Sequence, residues 1–394
     1  MPAQAGGVGR RIAYYRSVVR PRMTQQQLAD AACLSLGAIR KIERGERGVS
    51  ELTLESIAQA LGIDPSRLRA DRGAAHTRVH DALPRLSAAI AAYDLPEDGP
   101  TRELPELQAA TAEAADWRLS AQYTRIARTL PDLLGELARA FHTAAAAQRP
   151  HLAALLVTAY RTADAVAFKY GAFDLSARLI DLMRWAAPAA EDPLLAMSVA
   201  YVRTETFFAA RAHAAGLRAL EHAMDAAPAP VGMPAIAARG ALHMRAAVIA
   251  GRARNTAAAT AHLDQAAALA ERVPEGVYAG TAFGPDSVRI HHVSVAVSLG
   301  NDHVHGALDI GREWTPPAGL PAERRSGYYI ELARAQLWSG RTDDAFTSLK
   351  TARAIAPQHT REHPWVREDA ATLRRLKRAD AEALTTFAQW CAAT

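Results

Sequence analysis

Three features of the 394 residues predict an all-α chain. Alanine fills 90 positions and arginine outnumbers lysine 42 to 4, both strong helix formers, whereas aromatic residues make up only 6%. From Leu104 onward the sequence is almost continuous amphipathic helix. Turn-like positions then recur at intervals of about 40 residues, the spacing expected of stacked helical hairpins. Five short helices in residues 1–72, a connector at 73–103 and a long helical array at 104–394 are therefore expected.

Charge separates the first of these parts from the rest. Residues 1–72 carry 12 Arg and Lys against 7 Asp and Glu, while the remaining 322 residues hold 34 of each sign. The whole formal excess of +5 thus lies in a module of small-domain size, the distribution of a unit that faces phosphate. Mean hydropathy is −0.10, and no stretch approaches the roughly 18 apolar residues of a membrane span. Cys33 and Cys391 are too few for a disulfide framework or a zinc cluster, so a reduced, cytoplasmic protein with no membrane partner is expected.

In the N-terminal module, Gly9–Val19 reads as a helix burying Ile12, Tyr15 and Val19. Thr24 and Gln27 are spaced as a capping box for the next helix. Ser35 is placed to cap Leu36–Arg44, which Gly45 ends; Ile39 and Ile42 share one face and Leu36, Gly37, Arg40, Lys41 and Arg44 the other. Thr53–Leu61 turns Leu54, Ile57, Ala58 and Leu61 inward, and Asp64–Leu68 begins a last short helix. Two helices in tight succession at the centre make a helix-turn-helix candidate.

Ile12-Ala13-Tyr14-Tyr15-Arg16, Thr24-Gln25-x-x-Leu28-Ala29, Ser35-x-x-x-Ile39-x-x-Ile42-Glu43-Arg44-Gly45 and Leu54-x-x-Ile57-Ala58-x-Ala60-Leu61-Gly62 together resemble the XRE-type (Cro/phage-repressor-like) DNA-binding domain. The resemblance implies that Thr24 and Gln25 cap the first helix of the motif against a phosphate. It also implies that Leu36, Gly37 and Lys41 enter the major groove behind the Ser35 cap, with Arg40 and Arg44 near the backbone. The loop at Arg20-Pro21-Arg22 is two residues longer than the usual pattern, and Gly48-Val49 replaces the common proline turn.

In the array, Gly171, Arg211, Gly251, Gly300 and Gly340 mark the turns between paired helices. The segment Gly340-x4-Ala345-x3-Leu349-x2-Ala352-x4-Pro357 resembles half of a tetratricopeptide repeat, although the period exceeds the usual 34. With the head, the arrangement resembles bacterial regulators that join an XRE-type domain to a tetratricopeptide-like solenoid. That resemblance implies transcriptional control of a double-stranded DNA operator, homodimers and a body that senses a small molecule or peptide. Two other functions remain open: a DNA-bound scaffold whose repeats recruit a protein, and a metal-dependent hydrolase with a basic head.

Counting back from the turns places Arg161, Phe168, Lys169, Tyr201, Glu205, Phe208, Arg245, Ser294, Arg334 and Trp338 on the groove face. Their excess of bases suits an acidic group. The Gly- and Pro-rich interruption Val273–Ser287 contributes Phe283 and Asp286 to the candidate site, and His291 follows it. His359-Thr360-Arg361-Glu362-His363 spells an inverted zinc-protease signature, but Pro357 and Pro364 bracket it in what reads as a loop, so no metal site, cofactor or catalytic residue is assigned. His291, His292, His303 and His305 read as scattered over a helix and a loop. The chain is read as a regulator, not an enzyme.

Overall fold

The computed structural model describes residues 8–18, 23–46, 49–63, 68, 74–376 and 381–393. It divides into two units, Met1–Thr77 and Arg78–Thr394. Among the described residues the architecture is all-α apart from one short hairpin. No helix among the described residues is long and apolar enough to cross a membrane.

The first unit is built of α1 (Val8–Val18), α2 (Gln25–Ala31), α3 (Leu36–Glu43) and α4 (Glu51–Ala60). The expected helix from Asp64 lies, Leu68 apart, outside the described residues, as do Val19, Arg20-Pro21-Arg22 and Gly48. Ile12, Leu28, Ile39, Ile42, Leu54, Ile57, Leu61 and Leu68 form one buried core, one to three from each helix face named above. A close approach explains Gly9: a Cβ there would lie 1.9 Å from the Ile42 carbonyl oxygen, so α1 rests directly on the end of α3.

The second unit takes in α5 (Ala74–Ala91) from Arg78 onward. It is no free connector, because Val79, Leu86 and Ile90 are buried in the main core of the helical array. Six helical hairpins follow, α6 (Leu104–Leu119) with α7 (Tyr123–Thr143), α8 (Arg149–Lys169) with α9 (Phe173–Ala186), and α10 (Pro193–Ala209) with α11 (His213–Asp225). The other three are α12 (Met233–Arg252) with α13 (Thr256–Ala270), α14 (Pro285–Leu299) with α15 (His305–Glu313), and α16 (Ala322–Trp338) with α17 (Thr342–Ile355). The chain ends in α18 (Pro357–Glu362), α19 (Pro364–Leu376) and α20 (Ala381–Trp390).

Five hairpins turn through a left-handed residue, at Ala121, Gly171, Arg211, Arg254 and Gly340. Each closes with the same pair of backbone bonds, as where Gly171 N–H donates to Phe168 O and Ala172 N–H to Ala167 O. Arg254 corrects the turn expected at Gly251, which lies inside α12 where a Cβ would come 3.1 Å from Ser298. The first helices of the hairpins pack in series, α6, α8, α10, α12, α14 and α16, and α16 also returns to α6. The array therefore closes on itself.

The segment expected to be a loop at Val273–Ser287 contains an antiparallel hairpin, β1 (Gly276–Tyr278) and β2 (Thr281–Phe283). Ala279 and Gly280 at its tip both take positive φ, 45° and 74°, as a two-residue turn of that hand requires.

Candidate nucleic-acid interface and candidate effector site

Local chemistry fixes the two central helices of the first unit. Gln27 N–H donates to Thr24 Oγ1 at 3.1 Å while Thr24 N–H donates to Gln27 Oε1 at 2.8 Å, the expected capping box. Cys33, at φ 56°, makes the turn, and Ala38 N–H donates to Ser35 Oγ at 3.1 Å to start α3. Ile39 and Ile42 then point into the core, leaving Gly37, Arg40, Lys41 and Arg44 exposed and Leu36 half-buried on the outer face. Arg44 pairs with the neighbouring Glu46 at 3.0 Å, both well exposed. Gln25 is occupied within the protein: its Nε2 donates to Glu43 Oε2 at 2.6 Å, so the capping partner of Thr24 is Gln27.

Residues 22–68 match the helix-turn-helix family model. The N-terminal unit carries a helix-turn-helix domain. The match covers α2, α3 and α4, and it takes in three of the four segments that carry the XRE-type resemblance, Ile12–Arg16 lying outside it. No curated protein and no solved structure matches the chain.

Outside this helix-turn-helix domain, the second unit holds a second concentration of polar chemistry on its first-of-hairpin helices. Arg161 on α8 is buried; its guanidinium donates to Ser198 Oγ (2.7 Å), to Ala279 O (2.6 Å) and to Thr281 Oγ1 (2.6 Å). Burial and the nearby Arg118 bring its guanidinium down to about 9. Tyr201, also buried, has the Arg245 guanidinium over its ring at 4.6 Å. Burial pushes its phenol up, but Arg245, Arg324 and Arg161 together bring it down to about 8. Arg245 donates to Glu205 at 3.2 Å and to Thr204 at 2.7 Å. Lys169 pairs with Glu323 at 2.9 Å and lies 3.2 Å from His359 Nε2. His291 is buried between the Ser287 carbonyl (2.8 Å) and Arg324 (3.3 Å); burial first and the Arg324 charge second hold it at about 3.

Four sequence-based assignments change. Phe283 is fully buried and lies against Gly240, where a Cβ would come within 1.9 Å of its ring, so it anchors the hairpin in the core instead of meeting a ligand. Arg334 pairs through Nε and Nη2 with Asp369 (2.9 Å) and Glu368 (2.5 Å), against the Trp365 ring, in a structural ion-pair cluster. Asp286 lies in the first turn of α14, half-buried, and no polar partner draws it into the Arg161 cluster. The bracketed His359–His363 segment is helix α18 and its end, not a loop. His359 Nδ1 meets Ser326 Oγ at 2.7 Å, and its other ring nitrogen faces the Lys169 ammonium, a poor setting for a cation.

Sequence reasoning missed Arg118 on α6, which is buried and donates to Gly280 O at 2.8 Å, and Ser198 on α10. Arg118 lies three residues before the Ala121 turn, and the same counting rule would have found it had that turn carried a glycine. It also missed Glu323, Glu331 and Arg324, all from α16.

Proposed function

We propose that the chain is a sequence-specific DNA-binding transcription regulator whose helical array senses a small effector and alters operator binding. The observation that carries the first half is the helix-turn-helix domain, with α3 capped by Ser35 and presenting Leu36, Gly37, Arg40 and Lys41 away from the core. In this reading Lys41 meets base edges and Arg40 and Arg44 the phosphates, with Thr24 and Gln25 at the phosphate-facing end of α2. Gln25 reaches a phosphate by exchanging its Glu43 bond for one to DNA.

The array, read as a tetratricopeptide-like solenoid, supplies the sensing half and the contacts of a homodimer on two half-sites. The support is its polar interior, where Arg161, Tyr201, Glu205, Arg245 and His291 converge from four different hairpins. Ion pairs and hydrogen bonds tie Arg161, Arg245 and His291 to neighbouring elements, the arrangement of a polar binding interior. Footprinting the protein on DNA upstream of its own gene, with and without cell extract, tests both halves. A discrete footprint that extract shifts or erases is expected; uniform protection at all sequences would overturn the assignment.

A further inference from the structure

The β-hairpin does more than interrupt the array. Its base is fixed in the core by Phe283, and both carbonyls of its tip accept hydrogen bonds from side chains of the array. Ala279 O accepts from Arg161 at 2.6 Å and from Ser198 Oγ at 3.2 Å, and Gly280 O accepts from Arg118 at 2.8 Å. Two buried guanidiniums thus converge on two neighbouring carbonyl oxygens. Neutral carbonyls are weak partners for such groups. Charge-assisted bonds to an oxyanion are roughly twice as strong as those to neutral acceptors.

The carboxylates nearby bond to other groups, Asp164 accepting from Ser176 Oγ at 2.6 Å. Glu205 pairs with Arg245 and Glu323 with Lys169, so Arg118 and Arg161 sense those charges at a distance without owning either. Burial is the larger influence on both guanidiniums and lowers both. Arg118 Nε and the Tyr123 hydroxyl are moreover buried without a hydrogen-bond partner, an arrangement that costs about 1–3 kcal/mol per group in an ordinary interior. On the other side of the tip the Ala279 side chain is exposed, so the tip has solvent to move into.

We propose that Arg118 and Arg161, with Ser198 and the Tyr123 hydroxyl, form a site for a carboxylate or phosphate group, and that the ligand enters by displacing the Ala279–Gly280 tip. The two tip carbonyls stand where two oxygens of the anion would lie, and the hairpin competes with the ligand for the same donors. Phe283 and Gly240 hold the base while the tip lifts. This rests on the sensing half of the proposed function and names its ligand chemistry and its moving part.

The test uses the full chain without DNA, with inorganic phosphate and succinate as probes and chloride at matched ionic strength as control. Hydrogen exchange is followed at residues 276–283. One of the two probes should bind by calorimetry and speed exchange at the tip at least threefold, and which probe does so separates a phosphate ligand from a carboxylate ligand. Arg118→Gln and Arg161→Lys should each weaken binding at least tenfold. Ala279→Asn touches only the exposed tip and creates the Asn-Gly pair favoured in such turns. It should weaken binding about threefold to tenfold by strengthening the competitor. Failure of both probes to bind at 20 mM (about the weakest affinity worth a specific site), binding that leaves the arginine variants unaffected, or slowed exchange at the tip would overturn the proposal. Tip displacement without any change in operator affinity would keep this site and remove the sensing function. A footprint that responds to extract while neither anion moves the tip would do the reverse.

Discussion

The Arg16 guanidinium grips both carboxylate oxygens of Glu43, Nε to Oε1 at 2.7 Å and Nη2 to Oε2 at 3.1 Å. This bond ties α1 to the last residue of α3, and Gln25 of α2 closes on the same carboxylate. One side chain therefore registers all three helices around the reading face. Glu43→Ala strands Arg16 in a mostly buried position and should destabilise the domain by about 1–3 kcal/mol. Amide exchange of α1 to α3 in the full chain should accelerate accordingly, while that of α8 and α12 should not change.

Lys41 and Arg40 should separate base reading from phosphate contact. Lys41→Ala is expected to cost about 1–3 kcal/mol on the operator and to relax preference at one base pair. Arg40→Ala should weaken binding to all sequences alike and lower the salt slope by about one. Titrations on operator and random duplexes at several salt concentrations check both; identical effects from the two changes would reject the roles assigned.

Gly240 and Phe283 should behave as a coupled pair. Gly240→Ala drives a methyl into the Phe283 ring and should cost about 1–3 kcal/mol by overpacking, whereas Phe283→Leu leaves a partial cavity of similar cost. Combined, the two should lose less than the sum of the single changes. Denaturant midpoints for the four proteins of the cycle decide it.

The left-handed turns predict opposite effects of two substitutions. Gly340→Ala places a Cβ at φ 76° and should destabilise by about 1 kcal/mol. Arg254→Gly relieves the same strain at φ 58°, and the gain should exceed the entropy cost of glycine by a few tenths of a kcal/mol. Thermal melts of the full chain test the signs.

Acid should lower the stability of the array with two slopes. His291 and His359 are held at about 3, each by burial first, then by Arg324 and Lys169 respectively. Between pH 6.5 and 3 the unfolded chain takes up protons that the folded histidines refuse, so stability falls with pH, by about 1 kcal/mol per pH unit per group. Burial raises Glu331 to about 7, and its folded carboxyl binds a proton early, offsetting one histidine between pH 7 and 4.5. Below pH 4.5 that offset ends. Glu323, opposed by desolvation but held at about 2 by Lys169 and His359, then adds to the loss. These four groups should make the urea midpoint fall more steeply below pH 4.5 than above it. His359→Gln should flatten the curve by about one proton, and Glu331→Gln should steepen its upper limb.

The head was legible in the sequence because its signals are local. Thr24 with Gln27, Ser35 with Ala38 N–H, and Gly45 at φ 76° act within a few residues of themselves, and Ile39 and Ile42 declare the buried face by spacing. The array was legible only in outline. Gly251 looked like a turn because glycine usually marks one, but it serves helix contact, and Arg254 bears the strained turn instead. Arg334 and Phe283 looked like ligand contacts because their satisfiers, Asp369 and Gly240, lie 35 and 43 residues away on other helices. Arg118 escaped because its turn is made by Ala121, which does not announce a turn as glycine does, and its partner is a carbonyl 162 residues later.

The return of α16 to α6 changes how the array should come apart. An open stack of hairpins frays from its termini, because the outermost unit has one neighbour and is the cheapest to lose. Here the first and last hairpins lean on each other, and bonds such as Thr124 N–H to Gln358 Oε1 at 2.8 Å stitch the seam. No hairpin is an end. Melting must then begin with rupture of the seam or with loss of an interior unit that has two neighbours, and either route raises the barrier to partial opening. A circle of weakly stable units thereby gains the all-or-none unfolding of a much smaller globule.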